Sequence, residues 1–188
     1  MADDLFSERK KSLEEEFFAR QNEKLKRELR DKEQGKARKD ALAAASGIQD
    51  ERVLERLVAI DIGPEALAAL SLVPLVQVVW ADGSIDEKER AAVFAAAEKQ
   101  GLARGEAAYR LLEGWLTERP REELMTTWKE YAAALAGRLG EDERKALREE
   151  IVGRARLVAE AAGGLLGFGS KVSKAEEAVL RELEQALS

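Results

Sequence analysis

Four carboxylates fall within eight residues in the run Asp82-Gly83-Ser84-Ile85-Asp86-Glu87-Lys88-Glu89. Carboxylate oxygens are the natural ligands of hard cations such as Ca²⁺ or Mg²⁺, so cation binding is the first chemistry the cluster suggests. The spacing is not that of an EF-hand loop, with its alternating acids, central Gly and terminal Glu. A second reading is structural. Asp82 suits a turn because its side chain bonds nearby N–H groups, and Gly83 can take a positive φ. Ile85 can drop into a core. Asp86 and Glu89 fit the N-cap and N3 positions of a capping box, with Asp in place of the usual Ser or Thr. Capping employs about three of the four acids, which leaves Glu87 directed at water. A cation held mainly by Asp82 and Asp86 then has too few ligands for tight binding, because Ca²⁺ takes about six to eight oxygens.

Other chemistry is sparse. The chain has no His and no Cys, which removes the commonest acid–base residue and the usual zinc ligands. The run Gly163-Gly164-Leu165-Leu166-Gly167-Phe168-Gly169-Ser170-Lys171 superficially resembles a phosphate-binding loop. Its Ser precedes its Lys, and it follows a helix rather than a strand, so the P-loop context fails. A connection whose apolar residues plug a gap in a bundle or meet a partner fits better. No carboxylate or Lys constellation for catalysis is legible, and the expectation is a non-enzyme.

The elements that must position the acidic joint are helices. Ala, Leu, Glu, Lys and Arg dominate, only 3 residues are Pro, and no sustained period-two alternation is present. Residues 5–40 read as one long charged helix with Phe6, Leu13, Phe17, Leu25 and Leu29 on a narrow stripe, a pattern suited to a coiled-coil-like contact. The stripe pairs chains into a homo-oligomer, or it lies across its own domain. Gly35 and the basic residues after it weaken the helix near its end, and Ser46-Gly47 breaks the chain.

Asp50 caps a helix through Ile60. Gly63-Pro64 opens a helix from Glu65 to Trp80 that is apolar nearly all round, as in the middle of a bundle, and Pro74 should kink or split it near Leu70-Ser71. Further helices are expected over 86–100, 105–117, from Pro120 through Leu135, over 141–162 with Leu147, Ile151, Val152, Leu157 and Val158 as its apolar marks, and from Ser173 to Leu187. Trp80, Trp115 and Trp128 are expected in the core, and Arg119, Arg121 and Arg138 in solvent.

Sliding the chain by 87 positions lays Ile85 over Val172, Asp86 over Ser173, Glu89 over Glu176 and Val93 over Leu180. Two helix–loop–helix units that cover each other's apolar faces would produce this pattern; any capped helix after a turn looks similar, but the shared apolar residue before the cap favours a genuine repeat. An apolar helix entering Ala81-Asp82-Gly83, followed by Ile85, Asp86 and Glu89, resembles the signature of the tellurite-resistance-B-like (TerB-like) domain family. The likeness spans about residues 50–187 and leaves the N-terminal arm outside. It implies an all-helical fold and a protein-interaction or stress-response adaptor. It also implies metal binding by acidic loop residues, here Asp82 and Glu89, with Glu176 as the equivalent in the second unit. Gly169 stands where that second loop would need an Asp.

The expected architecture is therefore all-α. A charged arm over 1–45 precedes a bundle of seven to eight helices over 46–188, built on two helix–loop–helix repeats. The arm carries 12 Lys/Arg against 11 Asp/Glu in its first forty residues, and the rest carries 19 against 26. An acidic body argues against a nucleic-acid partner, and no apolar run reaches membrane-spanning length. A protein partner, no membrane insertion and a cytoplasmic location are the corresponding expectations. The metal candidates are Asp82, Asp86, Glu89 and Glu176 toward Ca²⁺ or Mg²⁺. Gly83, Ile85, Val172 and Ser173 are the structural positions of the two joints.

Overall fold

The computed structural model describes residues 2–162 and 172–187, with side chains at 20, 23–161 and 172–187. Among the described residues every regular element is helical: α1 (Ala2–Ser46), α2 (Glu51–Ala59), a 3₁₀ helix (Pro64–Leu72), α3 (Val73–Val79), α4 (Glu87–Lys99), α5 (Ala107–Thr117), α6 (Glu122–Ala136), α7 (Glu141–Ala162) and α8 (Lys174–Ala186). The chain divides into two compact units, Met1–Asp40 and Ala41–Ser188. No single helix among the described residues is long and apolar enough to cross a membrane.

The first unit holds α1 as far as Asp40, and the last residues of that helix belong to the second. Gly35 does not end the helix, which continues to Ser46. A mid-helix Gly costs about 1 kcal/mol relative to Ala, which the good helix formers on either side absorb. The stop comes at Gly47, with φ +72, whose N–H reaches the Ala43 carbonyl at 2.8 Å. Of the apolar stripe, Leu25 and Leu29 are exposed at 57% and 53%. The side chains of Phe6, Leu13 and Phe17 lie outside the described residues, as does the segment 163–171.

In the second unit, α3 is the strut. Six of its seven residues are buried, and it packs against α7, α8, α4, α6 and the 3₁₀ helix. The apolar stretch before it is not α-helical as the sequence suggests, and the split expected near Leu70-Ser71 falls beside it, at Leu72. Two causes combine. Pro74 lacks an N–H and its ring would strike the carbonyl of Leu70 in a continuing α-helix. The residues upstream also repeat with period three: Ala66, Ala69 and Leu72 are buried, while Glu65 and Ala68 are exposed and Ser71 is partly so. A helix with three residues per turn keeps each set in line, and this helix packs on α5.

The two halves of the repeat are visible in the packing. α4 packs against α3 and α7, and α8 packs against the same two helices. Each second helix thus covers its own first helix and that of the other unit. Val93 and Leu180, matched by the 87-residue shift, are both fully buried. Trp128 is in the core, and Trp80 and Trp115 are half-buried against it. Arg119, Arg121 and Arg138 are exposed, as expected. Leu157 departs from the expected pattern: it is 65% exposed, because the buried face of α7 passes through Ile151, Ala155, Val158 and Ala159.

Candidate functional site

The acidic joint begins where α3 ends. The Trp80 carbonyl accepts the Gly83 N–H at 3.0 Å, closing a turn, and the Trp80 ring N–H donates to the Trp115 carbonyl at 2.8 Å. That second bond fastens the joint to α5. Gly83 then takes φ +94, a left-handed conformation that strains any residue with a Cβ. Its surroundings are open, since an added Cβ would meet nothing within 4 Å. The backbone angle, not crowding, selects glycine here.

The carboxylates are used as the local chemistry requires. Asp82 Oδ1 accepts the Ser84 N–H at 3.1 Å. Asp86 Oδ1 accepts from Lys88 N at 2.7 Å and from Glu89 N at 2.8 Å, and Glu89 Oε2 accepts the Asp86 N–H at 2.7 Å. This is a complete capping box, which satisfies N–H groups that an α-helix leaves unpaired at its start. Glu87 is exposed. Ile85 is half-buried and packs on the core.

The second joint repeats the pattern in other residues. Ser173 Oγ accepts the Glu176 N–H at 3.2 Å, and Glu176 Oε2 accepts the Ser173 N–H at 2.6 Å. Val172 packs on the core as Ile85 does. Glu176 is 7% exposed and is one of few buried polar residues. The Gly169 side of this joint lies outside the described residues.

The two boxes sense one another. Burial raises the Glu89 carboxyl above its ordinary value; the bond from the Asp86 N–H opposes this, and the charges of Asp86, Asp82 and Glu176 push it further up. The four acids singled out from the sequence therefore belong to one electrostatic neighbourhood. They are not assembled as a ligand set, because among the described residues no three acidic side chains are grouped to hold a metal ion. Each of the four already accepts a backbone N–H. The donors suit a hard cation in type, but their geometry is that of two helix caps.

One feature of the second unit left no mark in the sequence. A cleft of about 380 Å³ opens between the 3₁₀ helix, the end of α4, α6 and α7, with Gln100, Tyr131 and Arg154 as polar points in an apolar wall. Four separated segments supply its lining, so no local spacing could announce it. Comparison with protein-family models, with curated proteins and with solved structures yields no match.

Proposed function

We propose that the chain is a non-enzymatic, cytoplasmic helical domain of the TerB-like kind that acts as a protein-interaction or stress-response adaptor of the tellurite-resistance type. One observation carries the reading: the acidic joint is exposed yet rigidly built. Asp82, Asp86 and Glu87 are exposed, while Gly83, the capping box and the Trp80–Trp115 bond fix the backbone that presents them. A pre-ordered acidic face favours a protein partner with a basic patch, since complementary charge steers encounter and suppresses wrong partners. The likeness of the first joint to the family signature supports the same reading. Ca²⁺ or Mg²⁺ associates weakly with Asp82 and Asp86 on this proposal, in about the 10⁻⁴–10⁻³ M range.

The test is affinity capture with the wild type and a triple variant, Asp82→Asn, Asp86→Asn and Glu87→Gln. Asn replaces Asp well both in turns and at N-caps, so the fold survives while the charge goes. A partner retained equally by both proteins would overturn the reading. Calorimetric titration with Ca²⁺ and Mg²⁺ checks the cation separately.

A second reading has its own observation. Leu25 and Leu29 lie four residues apart on α1 and are exposed, one helical turn along the same face. On this alternative the chain is a structural self-assembly module and α1 pairs with its counterpart in a second copy. Light scattering on Leu25→Glu with Leu29→Glu, and on the chain lacking residues 1–40, decides it. An unchanged molar mass per chain would remove the alternative.

A further inference from the structure

We infer that the cleft between the 3₁₀ helix, α6 and α7 binds a small amphiphilic carboxylic acid, its apolar body against the wall and its carboxylate at Arg154 and Tyr131. At about 380 Å³, the cleft falls within the usual range of small-molecule sites, about 300–1,000 Å³. Its wall is made of Leu67, Leu70, Leu102, Trp128, Leu135 and Ile151. Such walls with a few convergent polar groups characterise ligand pockets.

The polar groups define the head. The Gln100 side-chain Nε2 is buried with no hydrogen-bond partner among the described residues, while its Oε1 lies 2.9 Å from Ser71 Oγ. The same Ser71 hydroxyl lies 2.8 Å from the Ala68 carbonyl, and one proton cannot fully serve both acceptors. Turning the amide over lets Nε2 donate to Ser71 but strands Oε1 instead. In either orientation one end of the carboxamide is unpaired, an unfavourable state for a buried polar group that a polar group on a ligand or an ordered water relieves.

Burial raises the Tyr131 pKa, which keeps its hydroxyl a donor at neutral pH. Arg154 pairs with Glu150 at 3.7 Å, longer than a direct hydrogen bond. Arg154 and Tyr131 offer hydrogen whichever way the Gln100 amide is turned, and among the described residues no acidic side chain lines the cleft. In a body rich in Asp and Glu, a cleft lined by a cation and donors without an acid selects an anion.

Titration of the full chain with octanoate tests this, read by calorimetry and by the fluorescence of Trp128. The expected result is saturable binding that weakens about tenfold or more in Arg154→Gln, the scale of one charge-assisted hydrogen bond. Octanamide, which keeps the apolar body without the charge, should bind weaker by a similar factor. Ala68→Trp, at an exposed position in the lining, should block the cleft without disturbing the core. No saturable binding, equal binding of octanamide, or undiminished binding to Ala68→Trp would each overturn the assignment. The purified chain suffices, so the outcome is independent of partner capture by the acidic joint.

Discussion

The joint before α4 and the joint before α8 share one backbone device and differ in charge. Both use a capping box, and both place an aliphatic side chain, Ile85 or Val172, against the core. The first caps with a carboxylate that accepts two N–H groups at 2.7 and 2.8 Å. The second caps with a hydroxyl that accepts one at 3.2 Å. The first leaves Glu89 half-buried beside Asp82 and Asp86, whereas the second buries Glu176 more deeply and pairs its neighbour Glu177 with Arg156 at 3.4 Å. Local geometry is thus set by hydrogen-bond needs common to any helix start. Charge is what the two joints differ in: the same backbone device is closed by a carboxylate in one and by a hydroxyl in the other.

The comparison breaks most visibly at Gly83. Gly83→Val should lower stability by about 2 kcal/mol, since a β-branched residue there must adopt a strongly disfavoured φ, whereas Ser84→Ala should stay within about 0.5 kcal/mol. Thermal melts of both variants check this, and a Gly83→Val protein as stable as wild type would dismiss the conformational account.

The next effect separates the caps. Asp86→Ala should cost about 1 kcal/mol and Ser173→Ala less, because Asp86 satisfies one more N–H. Urea titrations of the two variants provide the ordering, and the reverse order would mean that burial of Glu176 outweighs cap chemistry.

A finer distinction concerns pH. Burial and neighbouring charge raise the Glu89 pKa above 4.5, so the folded chain holds this proton more tightly than the unfolded chain. The stability this group contributes is full below about pH 4.5 and is lost as the pH rises through its folded pKa. Glu89→Gln keeps an acceptor for the Asp86 N–H and removes the charge. The wild type should therefore lose ground to this variant as the pH rises from about 4.5 through the folded pKa. An NMR midpoint for Glu89 at or below 4.5 contradicts that expectation. The smallest effect is the coupling itself: Glu176→Gln should move the Glu89 midpoint down, and an unmoved midpoint would make the two joints electrostatically separate.

The residues that were legible from sequence are those whose roles are local. Asp50, Asp86, Ser173 and Gly83 act on N–H groups or angles within a few positions, and all four do what their types suggest. The 3₁₀ helix was harder to read because nine mostly apolar residues present little contrast. Its period of three emerges only once Ala66, Ala69 and Leu72 are known to be inside. Leu157 misled for the opposite reason: an apolar type alone does not say which face of α7 the bundle covers. Gln100, Tyr131 and Arg154 come together from three separate segments, and nothing near any of them in sequence marks the meeting.

The 3₁₀ helix has a consequence for how this chain tolerates insertions and deletions. Removing three residues from an α-helix turns everything beyond the cut by about 60° and exposes part of the buried face, because a turn holds 3.6 residues. In a helix of three residues per turn, loss or gain of a triplet leaves both faces pointing where they did and changes only length, by about 6 Å. The stretch between Pro64 and Leu72 is therefore a spacer that can be resized in whole turns. Its length alongside α5 can change while Glu65 and Ala68 stay outward and the strut α3 keeps its orientation.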